Sequence, residues 1–191
     1  EALPTIKYIL SQSPNRLVLT THYGRPEPNN DNAKYSVEFM VDILENLLNT
    51  KVKFLQDPSY ITYHDTGIFL LENVRFSDSE TSCNIDSEYA NLYFNMGNVF
   101  ILDAFGCVHR NHMSICGASK RLDFVNNKKY GYGLLINKEL TNVQNIISSK
   151  QTKKVLCIVG GNKKEKLQLI DKFSENNNTT IFLGGYLATL Y

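Results

Sequence analysis

Three segments of this 191-residue chain set basic side chains directly behind short apolar runs. They are Thr21-His22-Tyr23-Gly24-Arg25-Pro26, Glu72-Asn73-Val74-Arg75, and Asp103-Ala104-Phe105-Gly106 followed by His109-Arg110-Asn111-His112. In open parallel sheets ligands gather outside the carboxyl ends of the strands. If the three runs are neighbouring parallel strands, His22, Arg25, Arg75, His109 and Arg110 emerge at one end of the sheet. Guanidiniums crowded at one edge repel one another unless an anion lies between them, and the planar fork of Arg matches the paired oxygens of phosphate or carboxylate. The implied chemistry is capture of a small phosphorylated acid. The competing reading pairs each arginine with its own surface Asp or Glu, and spacing alone leaves the two level.

A second candidate is the turn Val159-Gly160-Gly161-Asn162-Lys163-Lys164-Glu165-Lys166, which follows an apolar run and opens a stretch of helical period. Glycines let a backbone approach a ligand, N–H groups at a helix start favour anions, and Lys163 and Lys166 add charge. The Gly-Lys-Ser/Thr ending of a P-loop is missing, so a structural turn with solvated lysines competes on equal terms. Cys107-Val108-His109-Arg110-Asn111-His112-Met113-Ser114-Ile115-Cys116 brings His and Cys pairs close in sequence. They are interleaved rather than spaced as two pairs, and Arg110 would lie against the metal, so no metal site is assigned. His64 reads as a solvated loop residue and Tyr130-Gly131-Tyr132-Gly133 as a tight connection. No Ser-His-Asp grouping or paired-carboxylate site stands out.

The elements that must position these residues are short. Arg16–Thr20, Ile68–Leu71, Val99–Leu102, Val155–Val159 and Thr180–Leu183 read as strands buried on both faces, because a covered parallel sheet needs continuous apolar runs. Between them the apolar period switches to three and four residues over Lys34–Asn49, Asn137–Ser149 and Lys163–Asn176, which predicts helices. Alternation of this kind favours an α/β domain with a parallel sheet. Tyr23–Ala33, Asp57–Thr66 and Ser77–Ser87 read as loops. The polar stretch Ser148–Lys153 marks a boundary, dividing the chain into 1–149, with the last helix as connector, and 150–191.

Composition narrows the function classes. Hydrophobic residues make up 42% and charged residues 20%, the balance of a globular protein rather than a disordered chain or a fibre. Twenty Lys+Arg against nineteen Asp+Glu leave a formal charge of +1, so no general positive field drives binding to nucleic acid or to a membrane. Cys83, Cys107, Cys116 and Cys157 are expected as reduced, mostly buried thiols, which suggests an intracellular compartment. No apolar run reaches the ~20 residues of a membrane span, and the first residues lack the pattern of a signal peptide. A chain that begins without Met and stops at Tyr191 inside a glycine-bearing motif is expected to be a fragment.

These phrases, with Leu3-Pro4-Thr5-Ile6, Lys34-Tyr35-Ser36, Leu71-Glu72-Asn73-Val74-Arg75-Phe76, Lys138-Glu139-Leu140, Leu167-Gln168-Leu169-Ile170 and Gly184-Gly185, occur in the order seen in phosphoglycerate kinases, and over essentially the whole length the chain resembles that family. The resemblance implies a three-layer, Rossmann-like amino-terminal lobe of a two-lobed kinase, with the beginning of the second lobe. It implies that His22, Arg25, Arg75 and Arg110 hold 3-phosphoglycerate or 1,3-bisphosphoglycerate. Gly160, Gly161, Lys163, Lys166, Gly184 and Gly185 match turns that serve ADP or ATP. The implied enzyme is a cytoplasmic, glycolytic monomer that passes a phosphoryl group between 1,3-bisphosphoglycerate and ADP with Mg2+, the metal ligand falling outside this chain. The fragment alone is expected to be inactive. Departures mark a divergent member: Lys163 and Lys166 stand three apart rather than four, Leu183 replaces a glycine, and Leu102 replaces an Asn. The alternative they leave open is a non-catalytic anion-binding or scaffolding module derived from the kinase.

Overall fold

The computed structural model describes residues 1–27, 33–117, 120, 129–149, 154–163, 166–175 and 178–190. They divide into two compact units, Glu1–Asn137 and Lys138–Tyr191, and the dividing point lies within the helix Leu134–Ser149.

The first unit opens with α1 (Leu3–Ser11) and holds parallel strands β1 (Arg16–Leu19), β2 (Val52–Leu55) and β3 (Gly67–Leu71) in the order β1-β3-β2. Register is fixed by pairs such as Leu17 with Ile68 and Phe54 with Leu70. Side chains along a strand alternate between faces, and β3 uses both. Ile68 and Leu70 pack with Val37, Val52 and the apolar side of α2 (Met40–Leu48). Phe69 and Leu71 pack with Ala90, Tyr93 and Phe94 of α4 (Glu88–Asn95) on the other side. Helices therefore cover both faces of the central strand, the three-layer α/β arrangement expected from the continuous run Ile68–Leu71.

β1 and β2 also contribute to both clusters, through Val18 and Leu19 and through Leu55 and Val52. β4 (Val99–Leu102) does not share this cover: Val99 and Ile101 are exposed while Leu102 is buried, so the expectation of burial on both faces fails there. β4 pairs in parallel with β5 (Lys129–Tyr132), which corrects the reading of Tyr130–Gly133 as a tight connection. Glycines at 131 and 133 suggested a turn, but the Tyr130 ring stacks on Phe100 at 5.9 Å, and Gly133 lies where a Cβ would run into Asp103. β2 went unforeseen because Lys53 interrupts the apolar run Val52-Lys53-Phe54-Leu55, by which the other strands were recognised.

The stretch Lys34–Asn49 is broken into a one-turn helix, Ala33–Tyr35, and α2. The cause is Glu72, whose carboxylate accepts from Ser36 Oγ at 2.7 Å and Val37 N at 2.9 Å and so holds the intervening backbone out of a helix. Within the expected loop Ser77–Ser87 lies α3 (Asp78–Ser82), capped by Ser77, whose side chain accepts from Ser79 N. Helix α5 (Leu134–Ser149) starts three residues before the expected Asn137 because Thr5 Oγ1 accepts from Leu134 N and Asp103 Oδ1 accepts from Ile136 N.

The second unit contains the parallel pair β6 (Val155–Val159) and β7 (Thr179–Leu183), separated in sequence by α6 (Leu167–Ser174) and followed by α7 (Leu187–Leu190). Val159, Ile170 and Leu187 form its buried centre, and Leu183 packs against them. The opposite strand faces, at Leu156, Ile158 and Phe182, are exposed. Of the expected helix Lys163–Asn176, the ends at 164–165 and 176–177 lie outside the described residues, as do residues 150–153 of the polar stretch.

Candidate functional site

Arg75 sits in the single helical turn Val74–Phe76 behind β3 and is only 8% exposed. Its surroundings are built by the side chain of Asn73 and the backbone of Gly24. Buried Asn73 donates from Nδ2 to the carbonyls of Tyr23 at 2.7 Å and Tyr35 at 2.9 Å, and its Oδ1 accepts from Arg75 N at 3.1 Å. The segment after β1 is thereby tied to the segment after β3, and Val74 N adds a bond to Thr21 O. Arg75 Nη1 donates to Gly24 O at 2.8 Å. Gly24 has φ +66°, and a Cβ there would enter the Tyr35 ring, so the close approach that receives Arg75 requires glycine.

The rest of the guanidinium is unmatched. Arg75 Nε and Nη2 are buried without a hydrogen-bond partner, and so is Arg110 Nε. Leaving a buried polar group without a partner costs roughly 1–3 kcal/mol, more for a charged one. Among the described residues no carboxylate forms an ion pair with Arg25, Arg75 or Arg110. The reading in which each arginine has its own acidic partner is therefore not what the side chains do.

Electrostatics show which groups converge. Burial, then the charges of Arg75, Arg110 and His112, push His22 from its ordinary 6.5 down to about 4. Arg75 is lowered by burial and by Arg110 and Arg25, against the opposing pull of Cys107 and Glu80. His112 is also lowered, burial and the two arginines outweighing the favourable Glu80 carboxylate. His22, Arg75, Arg110 and His112 thus lie within electrostatic range of one another, while Arg25 lies exposed within range of Arg75. His109, expected with them, is exposed. An uncharged imidazole among unneutralised guanidiniums is the state such a cluster adopts when it lacks a negative partner.

Glu80 was not foreseen as part of this frame. Its carboxylate, 2% exposed, accepts from Ser114 N at 2.9 Å and Ser114 Oγ at 2.7 Å, and it lies 3.4 Å from His112 Nδ1. It fastens α3 to the turn Met113–Gly117, which directly follows Arg110 and His112 in the chain. The sequence held a misleading signal: Ser77-Asp78-Ser79-Glu80 has capping-box spacing, which would spend the Glu on its own helix. Ser77 does cap α3, but the Glu80 side chain reaches across 34 residues instead.

In the second unit the two glycine-bearing turns meet. A Cβ on Gly160 would lie 3.6 Å from Gly184 O, and one on Gly185 would lie 3.5 Å from Gly161 N. Gly161 and Gly185 have φ of +111° and +61°, and Gly184 N donates to Val159 O at 2.9 Å. Lys166 folds back so that Nζ donates to Gly160 O at 2.7 Å, whereas the Lys163 side chain is exposed. Gly160, Gly161, Gly184, Gly185 and Lys166 are brought together, with Lys163 at their border; Lys164 lies outside the described residues.

The fold and the geometry define a parallel α/β protein whose strand ends gather arginines that, among the described residues, form no ion pair with a carboxylate. Residues 1–191 match the family profile described as phosphoglycerate kinase. The chain is 33% identical over 208 residues to the phosphoglycerate kinase of Tetrahymena pyriformis, covering 98% of this chain and 53% of that protein. It is 35% identical to the enzyme of Eremothecium gossypii, again over 98% of this chain and 48% of that protein. Among solved structures, phosphoglycerate kinase from Coxiella burnetii superimposes with a TM-score of 0.77 at 26% identity, covering 98% of this chain and 46% of that one. This chain belongs to the phosphoglycerate kinase family, and it spans about half the length of the curated relatives it matches.

Proposed function

We propose that the chain supplies the phosphoglycerate-binding part of a phosphoglycerate kinase, together with the first glycine turns of its nucleotide-binding part. The reaction is reversible transfer of a phosphoryl group from 1,3-bisphosphoglycerate to ADP, giving 3-phosphoglycerate and ATP. The observation that carries this reading is the set of buried, unmatched guanidinium N–H groups on Arg75 and Arg110 beside an imidazole driven neutral. A phosphate dianion would supply acceptors for those N–H groups and relieve the repulsion between the arginines.

Phosphoryl transfer needs alignment and positive charge more than covalent help from the protein. Arg75 and Arg110 would fix the substrate phosphate, His22 would add a hydrogen bond, and exposed Arg25 would draw the anion in. Gly160, Gly161, Gly184 and Gly185 let phosphates approach the backbone, while Lys163, free of the fold, is the better placed lysine to meet a migrating group. Lys166, held on Gly160 O, shapes the turn. Among the described residues no three His, Cys, Asp or Glu side chains come together to hold a metal ion; Mg2+ carried with ADP or ATP would neutralise phosphate charge, and the residue that would hold it is proposed to lie outside this chain. Among those residues no helix is long and apolar enough to cross a membrane. A cytoplasmic monomer in glycolysis is the setting we propose.

A coupled kinase assay on the complete gene product tests the reading. Arg110→Ala should raise the apparent constant for 3-phosphoglycerate at least severalfold and leave that for ATP nearly unchanged. Equal constants in variant and wild type would remove Arg110 from the site.

A further inference from the structure

Cys83 and Cys116 lie outside the site just described, on the two segments that Glu80 ties together. Cys83 ends α3 in a left-handed conformation, with φ 54°, and Cys116 lies in the turn Met113–Gly117. Their sulfurs are 3.1 Å apart, across 33 residues of sequence. Both residues are half-buried, so each keeps some access to solvent, and neither is bridged. Formation of a disulfide would bring the sulfurs in to about 2.05 Å, a movement of roughly one ångström that two side-chain torsions can absorb.

We propose that Cys83 and Cys116 form an oxidisable dithiol that reacts with small disulfides to give an intramolecular bridge. In the first step the Cys116 thiolate attacks a disulfide R–S–S–R, forming Cys116–S–S–R and releasing RS⁻. Cys83, deprotonated, then attacks the Cys116 sulfur and expels the second RS⁻. In sum, two protein thiols and one small disulfide give one protein disulfide and two small thiols, the two electrons passing to the reagent.

The Cys116 thiol donates to Asn111 Oδ1 at 2.9 Å or to His112 O at 3.1 Å, contacts that hold it in place beside Cys83. Cys83 is pushed up to about 11 by burial and by the hydrogen bond and charge of Cys116, which makes it the slower nucleophile against an outside reagent. Against a mixed disulfide already in contact with it, proximity replaces that lost reactivity. Cys107 and Cys157 have no such neighbouring sulfur among the described residues. The bridge would fasten α3 to the turn Met113–Gly117, directly after Arg110 and His112, through a covalent link beside the Glu80 bonds. The candidate bridge thus connects the chain's redox state to the segment that directly follows these side chains.

The test exposes the whole chain and its Cys83→Ser and Cys107→Ser variants to oxidised glutathione. Remaining thiols are then blocked in denaturant and non-reduced peptides are mapped. We expect wild type and Cys107→Ser to yield a Cys83–Cys116 linked peptide with two thiols protected. Cys83→Ser should instead retain glutathione on Cys116. Four fully blocked thiols in the wild type, a bridge involving Cys107 or Cys157, or a glutathione adduct on wild-type Cys116 that never resolves would each overturn the proposal.

Discussion

Under the proposed function the two units meet the same kind of chemistry with different devices. In the first, charge is carried by buried side chains whose positions depend on a polar frame: Asn73 holds the Tyr23 and Tyr35 carbonyls, Gly24 receives Arg75, and Glu80 holds the Ser114 turn. In the second, glycines set two backbones against each other, and the lysines are at or near the surface. A side-chain site of the first kind is specific and costly, since each unmatched guanidinium N–H is a strain that only the right anion relieves. A backbone site costs little when empty, because glycine takes left-handed φ without penalty and a solvated lysine loses no hydration. The contrast teaches where substitutions should act: on anion affinity in one unit, on backbone strain in the other.

Arg75 is the place to break the contrast most severely. Arg75→Lys keeps the charge but loses the fork, and we expect 3-phosphoglycerate affinity to fall on the order of 100-fold, as loss of two charge-assisted bonds implies. Isothermal titration calorimetry measures this. A lysine variant within about threefold of wild type would mean that charge alone suffices. Gly161→Ala sharpens the other side. With φ +111° and Lys166 Nζ at 3.3 Å from the added Cβ, it should destabilise the second unit by roughly 1–3 kcal/mol, read by denaturant unfolding, and leave phosphoglycerate binding untouched. Glu80→Gln should act more gently. The amide can still accept from Ser114 N but loses the charge that opposes desolvation of His112 and Arg75, so we expect anion affinity to fall severalfold and the His112 titration to shift down further. Normal affinity with an unmoved His112 would reduce Glu80 to a structural contact.

Much of this architecture was legible because burial writes itself into apolar runs. Ile68–Leu71 announced a strand covered on both faces, and the basic residues behind three runs announced that His22, Arg75 and Arg110 would come within range of one another. Legibility failed where one long-range polar contact decides local structure. Nothing near Lys34–Asn49 shows that Glu72 will interrupt its helix, and nothing near Glu80 shows that its carboxylate belongs to Ser114. Tyr130–Tyr132 became a strand because an aromatic stack with Phe100 outweighs the turn preference of glycine, a comparison available only once both segments are in place. The spacing of Lys163 and Lys166 left the second lysine in question; in the fold Lys166 is bonded to Gly160 O while Lys163 is exposed.

His22 gives the central claim its pH signature. The unfolded chain takes up a proton near the ordinary 6.5 and the folded chain only near 4, so this residue's contribution to stability is present above that window and is lost as pH falls through it. An anion between the arginines cancels part of the cause, leaving burial, and should move the His22 midpoint upward. The direct measurement is an NMR titration of the His22 imidazole in the whole chain, without and with saturating 3-phosphoglycerate. We expect a midpoint near 4 in its absence and a clear rise toward the ordinary value in its presence. A midpoint indifferent to 3-phosphoglycerate would contradict the assignment of this cluster as the site that holds it.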